Sequence, residues 1–62
     1  MDIEQIMAAI RSLAQSQGYY GRLYNELLEM QTNDPDKWEE VKNTLEAQNF
    51  NDTLDMVMYF ES

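Results

Sequence analysis

Ser16-Gln-Gly-Tyr-Tyr-Gly-Arg-Leu-Tyr24 contains both glycines of the chain and three of its four tyrosines. A regular apolar stripe ends on its N-terminal side, and a second begins on its C-terminal side. Turn residues between two helical patterns predict a tight helix-to-helix corner. Gly18 is expected to close the first helix as a left-handed C-cap, because a residue without Cβ takes that conformation freely. Ser16 acting instead as the N-cap of the next helix puts the corner at the same point. Gly21 falls in or just before the first turn of that helix, where it costs up to about 1 kcal/mol relative to Ala. A close backbone crossing is expected there, with the tyrosines turned into the core.

Upstream of the corner, Asp2 and Gln5 form a capping-box pair at a helix start. Ile3, Ile6, Met7, Ile10, Leu13 and Ala14 continue from it with helical spacing, within about a third of the circumference. The first helix is therefore expected from about residue 3 to residue 15. Downstream, Tyr20, Leu23, Tyr24, Leu27 and Met30 share one face, with Leu28 on its flank. Thr32-Asn-Asp-Pro-Asp36 then breaks the pattern: Asp34 suits an N-cap, and Pro35 suits the first helical position. The third helix, about 35 to 47, carries a narrow stripe of Trp38, Val41 and Leu45. Ile10, Leu27 and Trp38 are expected to meet in the core, with Trp38 its largest apolar contribution.

Asn49-Phe-Asn-Asp52 marks a second break, with Phe50 placed to staple it and Asn51 or Asp52 to cap the next helix. Residues 52 to 60 read as that fourth helix. Alternating Val, Tyr and Phe also fit a short strand, but no partner strand exists elsewhere in the chain. In the helical reading Leu54, Val57 and Met58 make the core face. Met56, Tyr59 and Phe60 then lie outward, ringed by Asp52, Asp55 and Glu61, as a patch of a few hundred Å² near the upper limit for a soluble monomer. These three residues are the candidate partner surface. The fold expected is all-α, one domain over residues 1–62, with three or four short helices about one core.

Twelve acidic and four basic residues give a net charge of −8. That balance argues against direct binding of nucleic acid, which needs clustered Lys and Arg, and against an anionic membrane surface. No apolar run approaches the ~20 residues needed to span a bilayer, and no signal-peptide pattern is visible. A cytoplasmic location is the expectation. Cysteine and histidine are both absent, which removes disulfides, thiolate metal sites and the commonest general base. Glu39 and Glu40 are neighbours that point apart on a helix, and capping accounts for Asp34 and Asp36. Asn49, Asn51, Thr53 and Asp55 alternate like the start of a calcium loop. That loop lacks its glycine, however, and has Phe60 where the bidentate Glu belongs. No catalytic, cofactor or metal residue is expected, so the reading is a non-enzymatic protein.

Five methionines and seven aromatic residues serve core filling first, yet Met-rich surfaces also suit partner binding. The expected function is an acidic protein-interaction module that engages a protein partner or a second copy of itself. The alternative is a nucleic-acid mimic whose carboxylates occupy the basic groove of a DNA- or RNA-binding protein. Ordinary solvation explains the same charges. Ser16-Gln-Gly-Tyr-Tyr-Gly-Arg-Leu23 and Leu45-Glu-Ala-Gln-Asn-Phe50, together with the acidic-aromatic C-terminus, resemble small proteins encoded in phages and prophages of Gram-positive bacteria. That resemblance implies a cytoplasmic accessory protein of a mobile element. It brings no known activity and no functional residues with it.

Overall fold

The computed structural model describes all 62 residues. It is all-α, with four helices: α1 (Ile3–Ala14), α2 (Gly18–Asn33), α3 (Pro35–Ala47) and α4 (Thr53–Glu61). The N-terminus of α1 is closed reciprocally: the Gln5 N–H donates to Asp2 Oδ1 at 2.8 Å, and the Asp2 N–H donates to Gln5 Oε1 at 2.9 Å. Two donors that the helix leaves free are thereby satisfied. α1 is the central element and packs against each of the other three helices. Its Ile6 and Ile10 are fully buried, which accounts for the sharpness of its apolar stripe.

The corner after α1 is built differently from its expected form. Neither glycine has a positive φ, and Gly18 is the first residue of α2 rather than a cap of α1. The turn is made by the preceding residues. The Ser16 and Gln17 N–H groups donate to Leu13 O at 3.2 and 3.0 Å, and Gln17 then takes an extended conformation as N-cap without a side-chain cap. Ser16 therefore does not cap α2 either. A Cβ added at Gly21 would lie 3.9 Å from the Ala14 carbonyl oxygen, an ordinary contact. The two helices approach there, but not closely enough to require glycine.

The one left-handed residue is Asn49, at φ 54, just beyond the C-cap of α3. Asn tolerates that region better than other residues with a Cβ, and its Nδ2 donates to Ala47 O at 3.2 Å. Between α2 and α3, Asp34 serves both neighbours. Its N–H donates to Met30 O at 3.0 Å, and its Oδ1 accepts from the Lys37 N–H at 3.2 Å. Pro35 occupies the first turn of α3, where no N–H is needed.

Ile6, Ile10, Tyr20, Leu27, Leu45, Phe50 and Met56 form the buried core. Ile10 and Leu27 lie in it as expected, whereas Trp38 packs against it from the edge without being fully buried. Its indole is half-buried in a cleft shared with Ile3, Met7, Tyr24, Leu28 and Lys42. The α3 stripe is narrow, and Leu45 is the residue that reaches the centre. Three long-range bonds join the two halves of the chain. The Met1 ammonium donates to Phe50 O at 2.6 Å, the Ile3 N–H to Glu46 Oε2 at 2.8 Å, and the Tyr20 hydroxyl to Glu61 Oε2 at 2.6 Å. The Glu46 carboxylate also places negative charge at the positive end of the α1 dipole.

Candidate functional site

Residues 53–61 are helical, with no strand character. The start of α4 is closed by two carboxylates: Asp52 Oδ1 accepts from the Asp55 N–H at 3.0 Å, and Asp55 Oδ2 accepts from the Asn51 N–H at 3.0 Å. Phe50, 6% exposed, pins the preceding loop to the core. The chain thus comes into α4 from the core side. The row four and eight residues past the N-cap, Met56 and Phe60, continues inward because residues four apart share a helix face.

That phase reverses the expected assignment of faces. Met56 is fully buried, and Phe60 is half-buried with its ring edge-to-face to Tyr20 at 6.5 Å. Met56 belongs to no surface, and Phe60 packs against the core with part of its ring open to a hollow beside Tyr19 and Glu61. Of the three candidate residues only Tyr59 remains outward, at 41% exposure, tilted against Phe50 at 5.4 Å and beside Phe60 at 5.3 Å. Leu54 and Met58, expected in the core, are 66% and 62% exposed and stand one turn apart. Val57, expected in the core with them, is half-buried and does pack against it. The two residue sets have similar hydrophobicity, so apolar pattern alone leaves the helix free to roll. The cap at Asp52 and the buried Phe50 set how the chain enters α4.

The outer face of α4 is therefore aliphatic at its centre, and Thr53–Glu61 contains no Lys or Arg to balance Asp55 and Glu61. Two cations border this region: Lys37, which shares a hollow with Tyr59 and lies 3.8 Å from Glu40, and the Met1 ammonium, which donates to Phe50 O. Glu61 also accepts the Tyr20 hydroxyl, whose pKa is pushed up to about 12. Burial is the main cause; the bond to Glu61, its negative charge and then Tyr19 add to it. The neutral phenol is thus held as a donor that latches the end of α4 to the start of α2.

Elsewhere the surface has open clefts. The Trp38 cleft, about 390 Å³, is lined mainly by apolar side chains with Lys42 at its edge, and Lys42 is paired with Glu39 at 3.1 Å. A second hollow, about 430 Å³, lies between Arg11 and Tyr24. No three acidic side chains converge in a metal-holding group, and Asn49–Asp55 serves as turn and cap. No helix is long and apolar enough to cross a membrane.

Fold and surface together define the chain as a small all-α bundle with an unpartnered aliphatic strip on its last helix. Comparisons with protein-family models, curated proteins and solved structures found no match.

Proposed function

We propose that this chain is a non-catalytic, acidic protein-interaction module whose working surface is the outer face of α4. The carrying observation is that Leu54 and Met58 are 66% and 62% exposed, one turn apart, on an element whose other side fills the core. Single exposed aliphatic residues are ordinary on proteins, whereas adjoining ones mark contact surfaces. Tyr59, also exposed, supplies an amphipathic ring on the same helix, the kind of residue enriched at interfaces. The setting implied by the sequence resemblance is an accessory protein of a phage or other mobile element, acting in the cytoplasm. The carboxylates are distributed over all four helices, which favours a solvated surface over mimicry of a phosphate line.

A photo-crosslinking residue placed at position 54 or 58 of the full chain, expressed in cells, tests this reading. A discrete protein adduct is expected at those two positions and not at the exposed polar positions Glu29 and Asn43. Equal, diffuse labelling at all four would end the proposal.

A further inference from the structure

We infer that the occupant of the α4 face is a cationic amphipathic helix of another protein rather than a second copy of this chain. The inference rests on the interaction reading above and adds the chemistry of the partner. Leu54 and Met58 are spaced four apart, the spacing with which an apolar helix face meets another. The charges that this stretch of chain itself carries have one sign: Asp52, Asp55 and Glu61 belong to α4 or its cap, and no Lys or Arg occurs between Asn43 and Ser62. The cations bordering it are already engaged, Lys37 beside Glu40 and the Met1 ammonium on Phe50 O.

A homodimer across this face would be isologous, so each of those carboxylates would meet the same set in its twin. Each copy would also bring a net charge of −8 to the encounter. The strip is small as well. Two side chains with a half-buried flank offer a few hundred Å², well below the ~800 Å² per partner of a stable interface between globular proteins. A single helix can use so narrow a strip, and lysine or arginine flanking its apolar row would face the acidic rim. Charge of that kind raises the association rate and selects partners even where each exposed pair adds little.

Two synthetic amphipathic peptides with the same leucine pattern test the inference, one flanked by lysines and the other by glutamates. Each is titrated into the isotope-labelled full chain while the resonances of Leu54, Val57 and Met58 are monitored. The lysine peptide is expected to shift these signals and to bind at least about tenfold more tightly than the glutamate peptide. The difference should shrink as salt rises to about 1 M, where the screening length falls to about 3 Å. Leu54→Gln with Met58→Gln should abolish the shifts. Glu61→Gln, which keeps an acceptor for the Tyr20 hydroxyl, should narrow the preference between the peptides. Equal binding of the two peptides, or no response to either, overturns the inference. So does sedimentation as a dimer that the Leu54→Gln, Met58→Gln variant dissolves, because the occupant is then a second copy. Crosslinks at positions 54 and 58 that survive such a result leave the interaction reading standing. Loss of the crosslinks removes both.

Discussion

Asn49 carries a conformational burden that no other residue in the chain shares, since it alone sits in the left-handed region, at φ 54. A Cβ there costs roughly 1–2 kcal/mol unless the side chain compensates. Asn49→Ala should therefore destabilise by about 1 kcal/mol and Asn49→Gly should be neutral or stabilising, as read by denaturant midpoints. Gly18 gives the opposite expectation. With a negative φ and only an ordinary contact awaiting a Cβ, 3.5 Å from Arg22 Nη1, Gly18→Ala should stabilise by about 0.4–1 kcal/mol through the unfolded state. Tyr20 adds a pH dependence. In the unfolded chain its phenol ionises near pH 10, and in the fold only near 12. Its contribution is thus fully present below pH 10 and is lost as pH rises through 12, because the unfolded state releases the proton first. The alkaline fall in melting temperature should be shallower in Tyr20→Phe than in the native chain.

The four helices differ in how much of their packing is legible in the sequence. α1 is fully legible, because a capping box and one uninterrupted stripe specify both its start and its buried face. α3 shows its start through Asp34 and Pro35. Its one large aromatic misleads, since size alone does not say whether an indole lies under a helix or across a cleft. α4 is legible as an element but not in its rotation. Leu54 and Met58 are as apolar as Met56 and Phe60, so the apolar pattern does not say which pair turns inward. Two variants distinguish the faces experimentally. Met56→Ala should cost about 2–5 kcal/mol, as for any deleted core side chain. Leu54→Ser with Met58→Ser should stay within about 0.5 kcal/mol of the native chain, as for surface positions. Thermal unfolding monitored by circular dichroism measures both, and reversed magnitudes would restore the opposite face.

A domain of this size works with a narrow margin, of the order of ~3–5 kcal/mol from a single core, so the distribution of its packing has effects throughout the molecule. α1 touches every other helix, while α4 has close backbone approach to α1 alone. Beyond that, α4 is held by Met56, Val57 and Phe60 against the core, by Tyr59 on Phe50 and by the Tyr20–Glu61 bond at its end. With one neighbouring helix where the others have two or three, α4 is expected to open more readily than α1. Its amide protons should exchange with deuterium faster than those of α1, and together rather than one by one, as a cooperative subunit does. Tyr20→Phe should speed that exchange without changing the rate in α1. A ligand on the outer face should slow it, so the helix that presents the contact strip would also report, through its own opening rate, whether the strip is occupied.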